Sequence, residues 1–136
     1  MKKLLLVVAV SMLAGCSTVN SMLDAYFMKY DPNEYQQISD IRSTAHYAKT
    51  SCDNAEQAKA QADVLAKKTY TFANYVQYTP HNDKVIAAST ELDKIAQGLV
   101  TQYQKGTVSP IFCKIKFNSV EESAELMQKT IGAKPR

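Results

Sequence analysis

Residues 55–76 read AEQAKAQADVLAKKTYTFANYV, and this stretch decides the fold class. Its apolar and small residues recur three or four positions apart, at Ala55, Ala58, Ala62, Leu65, Thr69, Phe72 and Val76. Because an α-helix turns once in about 3.6 residues, this spacing puts them all on one face of a helix. The stretch therefore predicts a long amphipathic helix that ends near Thr79-Pro80, since the residue before a proline disfavours helix.

A similar stripe, meaning a set of apolar residues that share one face of a helix, precedes this stretch in the sequence. Asp31-Pro32-Asn33-Glu34 is typical of a helix start, with Asp31 as the cap, Pro32 at the first helical position and Glu34 completing a capping box. The stripe that follows consists of Tyr35, Ile38, Ile41, Ala45, Ala48 and Cys52. It predicts a first amphipathic helix, which the polar residues 50–54 separate from the second.

Two more stripes follow the quoted stretch. The third helix is expected to begin within 79–83 and to end at Gly106, a residue that favours helix termini. The fourth begins at Ser109-Pro110 and ends at Gly132, unless Asn118-Ser119 kinks or splits it by bonding to nearby backbone. The stripes are Val85, Ala88, Leu92, Ile95, Leu99 and Tyr103, then Cys113, Phe117, Val120, Ala124, Met127 and Ile131.

Four helices joined by short connections favour antiparallel neighbours. We therefore predict an all-α protein, an up-and-down four-helix bundle that follows an N-terminal signal helix. Three long helices with a broken fourth are the alternative. The bundle is expected over residues 31–132, with residues 133–136 as a polar tail.

The N-terminus has the features of an export signal. Lys2 and Lys3 precede an apolar run from Leu4 to Leu13, which is too short for the roughly 20 residues of a membrane-spanning helix. The next residues complete the motif Leu13-Ala14-Gly15-Cys16, which resembles the lipobox of bacterial lipoproteins. A plain secretory signal and an uncleaved anchor are the alternatives.

The resemblance to bacterial lipoproteins implies a defined mature form. Residues 1–15 would be removed as the signal peptide, and Cys16 would carry a diacylglycerol and a further acyl chain such as palmitate. Residues 16–30 would then be a lipid-anchored tether. Ser17 after the cysteine implies the outer membrane, facing the periplasm. More than one acyl chain is needed for stable anchoring.

Charge argues against nucleic acid as a partner. Loss of Lys2 and Lys3 reduces the basic residues from 16 to 14, against 13 acidic residues, so the mature net charge is about +1. No block of lysine or arginine forms a basic patch. The expected partners are instead the membrane, through the lipid, and an unidentified protein or glycan of the envelope.

Cys52 and Cys113 remain as a pair once Cys16 is lipidated. In an up-and-down bundle both lie near one end, and disulfides persist outside the cytoplasm. We predict a Cys52–Cys113 disulfide; two buried thiols are the alternative.

No enzyme motif is visible. His46 and His81 stand outside zinc-binding patterns, so we expect no metal, no cofactor and no catalytic residues. Glu121 and Glu122 are interpreted as solvated charges on a helix surface.

The end of the second helix is rich in aromatic and polar residues. We predict that five of them form an interaction surface, namely Tyr75, Tyr78, His81, Asn82 and Asp83. Tyrosine is enriched at interfaces because it combines a large apolar area with a polar tip. The alternative is that the aromatic residues of this region belong to the core.

The leading functional hypothesis is a non-enzymatic lipoprotein, a helical binding or scaffolding module in the cell envelope. A phage or mobile-element lipoprotein that blocks a receptor or assists lysis is the alternative. An envelope hydrolase is a third hypothesis, which lacks recognisable catalytic groups.

Overall fold

Four α-helices follow one another in residues 29–136, the part of the chain that the computed structural model describes. They are α1 (Pro32–Ala48), α2 (Ala55–Gln77), α3 (Asp83–Lys105) and α4 (Pro110–Gly132). No strand occurs in that range. The prediction of an all-α protein with four helices is confirmed.

Local sequence explains where the helices begin. The carboxylate of Asp31 accepts a hydrogen bond from the Asn33 N–H at 2.8 Å and caps α1. The Ser109 hydroxyl oxygen does the same for the Phe112 N–H at 3.2 Å and caps α4. A proline stands at the first helical position of both helices, where its missing N–H costs no hydrogen bond.

The helices pack in a closed square. Each helix contacts the next along the chain, and α4 returns to contact α1. The four stripes meet inside, where Ile38, Leu65, Phe72, Leu92, Leu99, Phe117 and Ile131 are fully buried. The arrangement confirms the up-and-down bundle, and α4 runs unbroken through Asn118-Ser119 instead of kinking.

The bundle has two ends, which we call the base and the tip. The base holds residue 30, the connection between α2 and α3, and residues 133–136. The tip holds the other two connections. α1 ends at Ala48, about one turn earlier than predicted, and a 3₁₀ turn over Lys49–Ser51 leads the chain to Cys52.

The tip is cross-linked. Cys52 and Cys113 form a disulfide with their Cα atoms 5.7 Å apart. Both cysteines are buried in the core, and 61 positions separate them along the chain. The predicted pairing is confirmed, and it joins the end of the α1 segment directly to the first turn of α4.

The predictions for residues 1–28, including the signal peptide, the lipidated Cys16 and most of the tether, lie outside the described residues. From residue 29 onward, the helices are each too short or too polar to cross a membrane.

Candidate interaction surface

The structure divides the five residues predicted to form an aromatic and polar surface. All five lie at the base, but only Tyr78, His81 and Asp83 are exposed. Tyr78 is the most open of them, with 87% of its surface accessible. Tyr75 is half-buried and Asn82 is buried, so the predicted surface shrinks to three side chains at the connection between α2 and α3.

Tyr75 joins the end of α2 to the start of α1. Its hydroxyl donates a hydrogen bond to Asp31 Oδ2 at 2.7 Å, and it accepts a longer one from the Asn33 amide at 3.5 Å. The hydrogen bond to Asp31 raises the pKa of the Tyr75 hydroxyl above its ordinary value, because loss of the proton would place two negative oxygens together. Tyr75 therefore positions the helix start and is not free to meet a partner.

Asn82 was predicted to be on the surface, and this is wrong. Only 6% of the residue is accessible, because its side-chain amide lies between two buried charged groups. It donates to Glu34 Oε1 and accepts from the Lys134 ammonium at 2.9 Å. Asn82 therefore belongs to the internal structure of the base.

Glu34, Asn82 and Lys134 form a buried polar triad. The Lys134 ammonium donates to Glu34 Oε2 at 2.7 Å, and the two side chains are 2% and 0% accessible. Each charge thus has an opposite charge and an amide as partners, which a buried ion pair requires. Glu34 does not complete the predicted capping box, because its carboxylate reaches inward to Lys134.

The two ends of the described chain meet beside this triad. The Tyr30 N–H donates to the Pro135 carbonyl oxygen at 2.8 Å, and the Arg136 guanidinium lies 5.2 Å from the centre of the Tyr30 ring. The residues that lead into α1 are therefore paired with the residues that follow α4. Any anchor attached before residue 30 is joined to the bundle at its base.

A second polar cluster lies between α1 and α4. Glu121 was expected to be a solvated charge, but it is half-buried and accepts from His46 Nδ1 at 2.8 Å, while the Lys49 ammonium contacts its other oxygen. Desolvation alone would raise the pKa of Glu121, yet the hydrogen bonds from Lys49 and His46 outweigh it and hold the pKa below its ordinary value. Glu122 is exposed, as expected.

The same helix pair forms a shallow polar groove of about 290 Å³, which extends from His46 and Glu121 toward the base. Arg42 donates to the Gln128 amide oxygen at 3.0 Å and pairs with Glu125 at 3.5 Å. Gln128 in turn donates to the Ser39 hydroxyl at 2.8 Å. These polar groups satisfy one another, so the groove acts as a structural contact between the two helices.

The tip exposes an apolar patch that the sequence analysis did not identify. Ile111 and Ile115 are 73% and 57% accessible, and Phe112 is partly exposed beside them. The Lys116 ammonium lies 5.3 Å from the centre of the Phe112 ring. We refer to Ile111, Phe112 and Ile115, together with Lys114 and Lys116, as the tip patch.

The described residues hold no group of three or more histidine, cysteine, aspartate or glutamate side chains placed to bind a metal ion. The chain matches no protein-family model, no curated protein and no solved structure.

Proposed function

We propose that the protein is a lipid-anchored binding or scaffolding module of the cell envelope, held at the membrane through Cys16 and facing the periplasm. The motif Leu13-Ala14-Gly15-Cys16 supplies the attachment, and the bundle supplies a stable body. The disulfide fits this compartment, because oxidising conditions outside the cytoplasm allow such bonds to persist.

One observation carries the proposal. The pairing of Tyr30 with Pro135 fixes the start of the described chain at the base. An anchor upstream of Tyr30 therefore attaches to the bundle beside the start of α1 and leaves the sides of the bundle and the exposed connection between α2 and α3, with Tyr78, open to partners. The core between the helices is filled by apolar side chains, so binding on the outer surface is favoured over binding inside.

The anchor is tested by metabolic labelling of the expressed full chain with radioactive palmitate. Wild type is expected to incorporate label and to sediment with the membranes, whereas Cys16→Ser should incorporate none and should keep its signal peptide. Cys52→Ser serves as the matched control, since it removes a cysteine without touching the lipobox. Label in Cys16→Ser, or an unlabelled wild type, would contradict lipidation at Cys16.

The partner is tested separately by photo-crosslinking in cells. A photoreactive phenylalanine analogue at Tyr78 samples the exposed part of the base, and the same analogue at Tyr70 samples the side of α2. Both tyrosines are exposed, so the two positions are matched in residue type. Adducts to an envelope protein or glycan from Tyr78 and not from Tyr70 would support binding at the base. Adducts from neither position would contradict it.

A further inference from the structure

The tip patch combines exposed apolar side chains with positive charge. Ile111 and Ile115 are one helical turn apart on the outer face of α4, and Phe112 lies beside them. Single exposed apolar residues are ordinary, whereas these three share one helical turn and form a contiguous apolar patch. The patch begins at the very end of the bundle, where none of the other three described helices covers it.

Charged residues around the patch are mainly basic. On α4 and beside it at the tip, four lysines stand against Asp53: Lys114 and Lys116 in the patch, Lys105 at the end of α3, and Lys49 directly after α1. Asp53 lies 3.3 Å from the Lys114 ammonium and neutralises part of this charge, and Lys49 is paired with Glu121. Lys105 and Lys116 form no salt bridge within the described residues. A surface that covers the tip patch should therefore be negatively charged.

The small apolar area of the tip patch favours a lipid surface over a protein as its partner. Three partly exposed apolar side chains offer on the order of 200 Å² of apolar area, whereas a stable protein interface buries about 800 Å² on each partner. A second copy of the tip would also bring lysines against lysines. A bilayer needs no such area, because apolar side chains enter the headgroup region while lysines contact anionic phosphates.

Geometry permits this contact even with the anchor at the base. The 13 residues from 16 to 28 separate Cys16 from the described chain, and a chain of that length can reach at most about 47 Å. α4 has 23 residues, so the bundle is about 35 Å long. The tip can thus meet the membrane that holds the anchor.

We propose that the tip patch binds the anionic surface of a phospholipid bilayer, with Ile111, Phe112 and Ile115 entering the headgroup region and Lys114 and Lys116 contacting lipid phosphates. The proposal rests on the proposed function only in placing a bilayer near the bundle. Contact at both ends would hold the bundle along the membrane instead of upright on it.

The test uses the mature chain, residues 16–136 with Cys16→Ser, purified without lipid and with its disulfide formed. It is sedimented with vesicles of phosphatidylcholine alone or of equal parts phosphatidylcholine and phosphatidylglycerol. We expect binding to the anionic vesicles at least about tenfold stronger than to the neutral ones. Raising salt from about 0.1 M to about 1 M shortens the Debye length from about 10 Å to about 3 Å and should reduce the binding.

Two double variants and one control identify the surface. Ile111→Ser/Ile115→Ser and Lys114→Gln/Lys116→Gln should each weaken binding to anionic vesicles about tenfold. Leu126→Ser is the matched control, because Leu126 is an exposed apolar residue on the same helix outside the patch, and it should bind like the starting chain. All substituted residues are on the surface, and equal helical circular dichroism confirms folding.

Several results would overturn the proposal. These are no vesicle binding, equal binding to both kinds of vesicle, or equal loss in Leu126→Ser and in the patch variants. A photoreactive residue at position 111 that labels an envelope protein and not lipid in cells would instead assign the patch to a protein. Because the test chain has no acyl group, a negative vesicle experiment does not contradict lipidation at Cys16. A negative palmitate experiment likewise does not contradict vesicle binding by the tip patch.

Discussion

The buried triad at the base makes Lys134→Ala the most informative substitution. Lys134 is two positions before Arg136, the last residue of the sequence, in a region where a change would ordinarily have little effect on stability. Here its ammonium is the cation opposite Glu34, and both side chains are almost completely buried. The substitution leaves the Glu34 carboxylate inside the base with only the amide of Asn82 as a described side-chain partner.

The expected loss is large. Removing one member of a buried ion pair costs about 3 to 5 kcal/mol, because the remaining charge keeps its desolvation penalty without its partner. We expect Lys134→Ala to lower the free energy of unfolding by about 3 kcal/mol or more, measured by urea unfolding followed by circular dichroism. Against a usual total of about 5 to 15 kcal/mol, this is a substantial fraction.

Two further variants separate the ion pair from general effects. Lys129→Ala removes an exposed lysine from the same end of α4, and it should leave the free energy of unfolding unchanged within error. Glu34→Leu/Lys134→Met replaces the pair with apolar side chains, and it should be more stable than Lys134→Ala, since neither charge remains buried. If the free energy of unfolding of Lys134→Ala is within about 1 kcal/mol of the wild-type value, our description of Glu34 and Lys134 as a stabilising ion pair is wrong.

Three other predictions concern the remaining cross-links of the bundle. Reducing the Cys52–Cys113 disulfide, whose cysteines are 61 positions apart, should lower the free energy of unfolding by about 4 kcal/mol in urea titrations with and without reductant. The interactions that lower the pKa of Glu121 stabilise the fold at pH values above the pKa that Glu121 has in the unfolded chain. This contribution is lost as the pH falls through the pKa of Glu121 in the folded protein. Stability measured between neutral and acid pH should therefore fall less steeply in Glu121→Gln than in wild type. The hydrogen bond to Asp31 raises the pKa of Tyr75, and burial raises the pKa of Tyr103, so ultraviolet titration of wild type should include two tyrosines that ionise above the ordinary pKa, and Tyr75→Phe should remove one of the two.

The helices and the disulfide could be predicted because their causes are local or topological. Apolar spacing of three and four residues defines the buried face of each helix, and the caps at Asp31 and Ser109 are short-range hydrogen bonds. The pairing of Cys52 with Cys113 followed from placing two connections at one end of the bundle. Each of these inferences needs only sequence neighbours or the order of the helices.

The residues of the base could not be predicted in the same way. Glu34 and Lys134 are 100 positions apart, and each has an ordinary local explanation, as a capping residue and as part of a polar tail. Asn82 likewise looks like a turn residue. Their burial depends on three chain segments that meet at one point, and no periodicity in the sequence indicates such a meeting. The tip patch could not be predicted for a related reason: it lies outside the buried stripe of α4, and exposed apolar residues follow no periodicity that distinguishes a patch from ordinary single residues.

The two cross-links act on the same pair of helices. The disulfide joins the α1 end to α4 at the tip, and the Glu34–Lys134 pair joins α1 to the residues after α4 at the base. α1 and α4 are the first and last of the four described helices, so no short connection joins them, unlike the other three neighbouring pairs. The disulfide and the buried ion pair therefore lie between the two neighbouring helices that the chain leaves unconnected, one at each end of their contact.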